Sequence, residues 1–140
     1  MEIGIAHYCD EVVEKLGYRM DSDYVEDFWL PSVGPTTLLL ARRLFNLERR
    51  GFTTIDVDEL APQLGLHGHG RNSPLIRSIR RMHSFGLAVI IERDDSIIVG
   101  IRSHLAPLTT RQHERLPELL KTQHTTFINT QPRYEKRATA

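Results

Sequence analysis

Between Ala61 and Ile91 the chain carries no Asp or Glu, and glycines cut the region so sharply that its outline is nearly forced. Gly65, Gly68 and Gly70 break it once, and Gly86 breaks it again. Before the first break, Leu60, Ala61 and Leu64 recur at helical spacing behind two candidate caps, Asp56 and Asp58, while Pro62 keeps that helix short. Between the breaks Leu75, Ile76, Ile79 and Met82 form an apolar stripe that Phe85 continues, with Asn72 or Ser73 as cap and Pro74 in the first turn. After Gly86 come two β-branched runs, 87–91 and 96–101, around Arg93, Asp94 and Asp95, which predict a hairpin. From Asp58 to Arg102 the pattern therefore reads helix, glycine turn, helix, hairpin.

The second of these helices has a distinctive outer side. Its spacing places Ser73, Arg77, Arg80, Arg81 and Ser84 opposite the apolar stripe, with Arg71 and Asn72 in the turn before it. A guanidinium forks onto guanine O6 and N7 or onto phosphate oxygens, and a helix start preceded by glycines offers backbone N–H groups to a phosphate. Those residues, together with Arg102 beyond the hairpin, are the candidate DNA contacts: Arg71, Asn72, Ser73, Arg77, Arg80, Arg81, Ser84 and Arg102. The hairpin tip fits this chemistry less well. Asp94 and Asp95 repel phosphate, so hairpin contacts are expected from Arg93 or Arg102.

The flanks frame this region. Ile5, Cys9, Val12, Val13 and Leu16 predict an amphipathic helix over 3–16 with an acidic outer face, stopped by Gly17. Residues 1–30 hold eight carboxylates against Lys15 and Arg19, a net of −6, which leaves +6 for the remainder of a chain whose 18 acids and 18 bases balance. Tyr24, Val25, Phe28 and Trp29, ahead of Pro31, Gly34 and Pro35, read as a core plug. From Pro35 to Arg50 a wide apolar band predicts the central core helix, ended by Gly51, and residues 52–55 predict a strand that pairs with the hairpin. A last helix is expected over 110–123, kinked or started late by Pro117, followed by a tail in which Arg133, Lys136 and Arg137 add charge. The expected organisation is an acidic helical extension over 1–30, a core over 31–105, a helix over 106–124 and a flexible tail over 125–140.

Several function classes fit the residues poorly. Cys9 is the single cysteine, so neither an internal disulfide nor a Cys-rich zinc site is expected, and a reducing, cytoplasmic setting follows. No apolar run approaches the roughly 20 residues of a membrane span. His67 and His69 in the glycine turn, with His83, read as polar turn residues more readily than as metal ligands. No nucleophile elbow, phosphate loop or paired-carboxylate motif is present, so neither catalysis nor a cofactor is expected.

Along 70–81 and 85–88 the sequence resembles the winged helix-turn-helix superfamily. With Trp29 to Pro31 and Gly34 to Pro35 before the first core helix, it is similar to short bacterial and phage members over residues 29–105. The resemblance implies the order of helices and strands and a recognition helix beginning near Ser73. The resulting expectation is a mainly α fold with a small β-hairpin (α+β), a winged helix-turn-helix core carrying extra N- and C-terminal helices. Its function is expected to be that of a homodimeric repressor binding double-stranded DNA through helix 73–85 in the major groove. The competing expectation is a winged helix used for protein contact, an adaptor or inhibitor of a regulator, replication protein or polymerase, with the acidic amino-terminal helix as a docking element.

Overall fold

Residues 2–7 read Glu, Ile, Gly, Ile, Ala, His, and their period of two organises the sheet. In the computed structural model, which describes residues 1–70 and 72–130, Glu2–His7 form strand β1 with Ile3 and Ile5 buried. The expected helix over 3–16 is thus a strand followed by a short helix, α1 (Glu11–Leu16), capped by the Asp10 carboxylate, which accepts from the Val13 N–H at 3.2 Å. Gly4 is unfavourable inside a helix, whereas alternation of Ile3 and Ile5 around it suits a strand with one buried face. Gly17 then lets the chain pass against Leu105, where a β-carbon would overlap the Leu105 carbonyl oxygen.

After β2 (Tyr18–Arg19), a wide π-type segment (Val25–Trp29) runs into α2 (Leu30–Val33) and delivers the aromatic plug. Tyr24, Val25, Phe28 and Trp29 are all buried, and the Trp29 indole N–H donates to the Ala106 carbonyl at 3.1 Å. Helix α3 (Pro35–Arg49) follows as the central core helix, burying Leu38, Leu40, Ala41, Leu44, Phe45 and Leu47. Then come β3 (Thr54–Asp56), α4 (Val57–Gln63), α5 (Pro74–Ser84), the hairpin of β4 (Ala88–Arg93) and β5 (Ser96–Ile101), and β6 (His104–Leu105). Asp56 caps α4, accepting from the Asp58 N–H at 2.7 Å, and Pro62 lies inside that seven-residue helix.

The main sheet has the order β3-β1-β5-β4. β1 runs parallel to β5, with Ile3 opposite Ile97 and Ile5 opposite Val99, and antiparallel to β3, with Ile3 opposite Ile55. β3 therefore pairs with β1 and not with the hairpin, because β1 occupies the place beside β5 that the hairpin offers. One sheet face buries Ile3, Ile5, Ile97, Val99 and Ile101 toward the helices, while Ile91 and Ile98 stand half exposed on the other. β2 and β6 form a separate two-stranded ladder.

The carboxy-terminal helix is divided. A capping box at Thr109 and Gln112 starts α6 (Thr110–Glu114), and Pro117, which has no N–H to donate, starts α7 (Glu118–Asn129). Residues 125–129, expected in the tail, are helical because Phe127 packs on Tyr18, Tyr24 and Phe28. Arg133, Lys136 and Arg137 lie outside the described residues. The fold is mixed α+β with a small sheet. Among the described residues no helix is long and apolar enough to cross a membrane.

Candidate nucleic-acid interface

Helix α5 is positioned from both ends. At its start the Ser73 hydroxyl accepts from the Ile76 N–H at 3.3 Å, and Pro74 supplies a first-turn residue whose missing N–H costs nothing there. At its end Gly86 takes φ 75°, the left-handed region that favours glycine. Leu87 then donates to Met82 O at 2.9 Å and Gly86 to His83 O at 3.1 Å, which closes the helix and buries Leu87 completely. Leu75, Ile76, Ile79 and Met82 face the core, each at most 1% exposed. Burial of such a side chain contributes about 1.5–3 kcal/mol, so α5 is held by its inner face whatever its outer face carries.

That outer face exposes Arg77, Arg80, Arg81, His83 and Ser84, with no carboxylate among them. Arg77 projects at the rim of a cleft of about 450 Å³ between α5 and the start of α3, lined also by Thr36, Thr37, Ser78 and Arg81. The other candidates have partners the sequence did not reveal. Arg80 Nη2 donates to Glu92 Oε1 on β4 at 3.0 Å; both side chains are partly exposed, and such pairs are worth about 0.2–1 kcal/mol. Arg81 donates through Nε to Thr37 Oγ1 and through Nη2 to the Val33 carbonyl, each at 3.3 Å, and lies 5.2 Å from the Phe85 ring. It ties α5 to the α2–α3 junction.

Three expected contacts have partners of their own. Ser73 is only 4% exposed, and its hydroxyl is committed to capping, so it organises the helix and does not stand on the outer face as expected. The Ser84 hydroxyl donates to the Arg80 carbonyl at 3.2 Å, a local bond that leaves the side chain outward. Arg102 is drawn to the amino-terminal segment: Nη1 donates to Asp10 Oδ2 at 3.1 Å and the guanidinium lies 4.8 Å from the Tyr8 ring. The Val13 N–H, and after it Arg102, hold the Asp10 carboxyl below its ordinary range. Arg102 is therefore not gathered with the α5 arginines. Asn72 is exposed in the turn before α5, and Arg71 lies outside the described residues.

Two histidines beside the face have structural partners. His83 Nδ1 accepts from the Ile90 N–H at 3.1 Å and so covers part of the free edge of β4. His69 Nδ1 lies 3.1 Å from Asp58 Oδ1, joining the glycine turn to α4. Among the described residues no three His, Cys, Asp or Glu side chains gather as metal ligands. The hairpin tip is tight, with Asp94 at φ 44° and Arg93 paired to Ser96 across it. Asp94 and Asp95 keep it acidic.

The local signals for Ser73 and Gly86 were present in the sequence. The role of Thr37 was not, because the residue that answers it, Arg81, lies 44 positions away.

No family model matches the chain, and no curated protein matches it. Among solved structures the chain is similar to the primosome protein DnaB (residues 1–300) of Geobacillus stearothermophilus, with a TM-score of 0.63 at 15% identity. The match covers 94% of this chain and 51% of that one, so the chain spans about half the length of the solved protein. At this identity the likeness is one of fold.

Proposed function

We propose that the chain binds double-stranded DNA through α5 and acts as a regulator of transcription, a repressor that occupies its site. The observation that carries this is the outer face of α5, where every exposed side chain is Arg, His or Ser. The order α3, β3, α4, α5, β4, β5 supports reading residues 35–101 as a winged helix-turn-helix in which β1 is inserted between the first strand and the wing. In that reading α5 enters the major groove, Arg77 and Arg80 reach bases or phosphates, and Arg81 braces the helix while leaving part of its guanidinium for a phosphate. The acidic tip turns the wing away from the backbone. One helix makes few contacts, so two copies bind one site, with exposed Val12 and Leu16 of α1 among the apolar side chains available for their association.

The test is fluorescence anisotropy of a mixed-sequence duplex at two salt concentrations, with Arg77→Ala and Arg80→Ala. We expect each variant to keep the native melting temperature and to lower the salt slope by about one. Negligible, salt-independent binding by the native chain would remove the DNA reading.

A second reading draws on a different observation. The Arg80–Glu92 and Arg102–Asp10 pairs occupy basic groups within the molecule, and the solved protein of similar fold is a primosome protein. On that reading the same face docks on a protein of a replication-priming assembly, and its binding responds to Arg77→Ala without requiring DNA.

A further inference from the structure

Helix α7 is seated differently from the other core helices, because the one side chain it fully buries is polar. His124 is 5% exposed and packs against the Phe28 ring at 4.8 Å. Both of its ring nitrogens are engaged. Nε2 lies 2.8 Å from Tyr24 Oη, which also accepts from the Leu108 N–H at 2.9 Å. Nδ1 lies 2.8 Å from Nδ1 of His113 on α6. A gap of that length between two imidazole nitrogens holds one proton. A neutral pair supplies it from either ring, and a pair carrying one positive charge still fits. Two imidazoliums would each direct an N–H into the same gap, and the contact must then open.

We infer that His113 and His124 form a proton-operated clasp, and that a second positive charge on the pair ejects α7 from its aromatic seat and uncovers Tyr24 and Phe28. The surrounding charges are few. On α6, Glu114 reaches Lys121 of α7 at 3.8 Å, and Glu118 reaches the same ammonium at 3.3 Å, all at the solvent side. From the π-type segment and the turn of helix just before it, Asp27 and Asp23 line the groove beside Phe28 and Phe127. Burial, and after it the His113 ring, hold the proton affinity of His124 below its ordinary value. The seated form therefore binds fewer protons than the released form, in which His124 regains the ordinary imidazole value of about 6.5. Seating is complete above that pH and weakens below it, up to about tenfold per pH unit for each excluded proton. Burial, with Asp23 and Glu26, pushes the Asp27 carboxyl up, which favours the seated form as pH falls and so opposes release. Asp27 is common to the native chain and a His113 variant, so comparing the two isolates the clasp.

The experiment is amide hydrogen exchange of the full chain from about pH 7.5 to about pH 5, corrected for intrinsic rates, on the native protein and His113→Gln. Glutamine accepts the His124 N–H and never charges. In the native chain, protection of α7 is expected to fall about tenfold per pH unit below about 6.5 while that of α5 holds. In His113→Gln the fall is expected to be clearly shallower over the same range, because burial of His124 remains while the second ring that could charge is gone. Imidazole ¹⁵N shifts of the native protein, read in parallel, are expected to show the second charge arriving with the loss of α7 protection. Unchanged α7 protection in the native chain, an equal loss in His113→Gln, or two charged rings with α7 still protected would each overturn the clasp. The native measurements decide even where the variant fails to fold.

Discussion

Helices α5 and α7 are of similar length, 11 and 12 residues, and both lie on the same core, yet they divide polarity in opposite ways. α5 turns Leu75, Ile76, Ile79 and Met82 inward and keeps its charge outside; α7 turns His124 inward and exposes Leu119 at 70%. An aliphatic inner face is indifferent to pH and to the identity of the outer residues, so α5 can carry a repulsive cluster of guanidiniums without loosening. A polar inner face holds only while its hydrogen bonds are complete. The molecule thus has one helix whose exterior is free to be functional and one whose attachment is itself sensitive to solution conditions.

Ile79→Ala should break the comparison most severely. Ile79 is completely buried, and truncation in a packed core costs about 2–5 kcal/mol, here at the junction of α5, α3 and the sheet. Chemical denaturation should show the whole transition moving, equally at pH 7 and pH 5; loss of α5 protection alone would contradict the view that α5 belongs to the main core. His124→Leu comes next. It keeps an apolar group in the seat but removes the His124 contacts to the Tyr24 hydroxyl and to the His113 ring, at about 1–3 kcal/mol. Hydrogen exchange should place the loss in α7 while α5 keeps its protection, and a uniform loss would mean that the two helices form one cooperative unit. The smallest effect is expected from Glu92→Gln, which releases an exposed pair and changes stability by less than about 1 kcal/mol. Its value lies in function: with the Glu92 charge removed from beside α5, duplex affinity should rise modestly at low salt, and a fall would assign Glu92 to the binding surface.

Legibility follows the range over which each signal acts. The caps at Asp56 and Ser73, the stop at Gly86 and the apolar stripe of α5 all act within a turn or two of helix, and each is visible in a handful of consecutive residues. β1 was not legible because Ile5, Cys9, Val12, Val13 and Leu16 happen to fall at helical intervals across a strand, a loop and a short helix. The residues that make it a strand, Ile97 and Val99, are more than 90 positions away and pair in parallel, with no hairpin turn to announce them. The pairing of β3 with β1 is hidden for the same reason, since Ile3 and Ile55 lie far apart in the chain.

By itself the sequence determined the central helices, the hairpin and a basic, acid-free outer face on α5, since periodicity and capping are local properties of the chain. The tertiary structure alone decided what those side chains do. It gave Arg80 to Glu92, Arg81 to Thr37 and Val33, Arg102 to Asp10, and His124 to Tyr24 and His113. A charged or polar group takes whichever partner the fold brings within about 3 Å, and across separations of 11 to 100 residues that choice is made by packing, which no local pattern records.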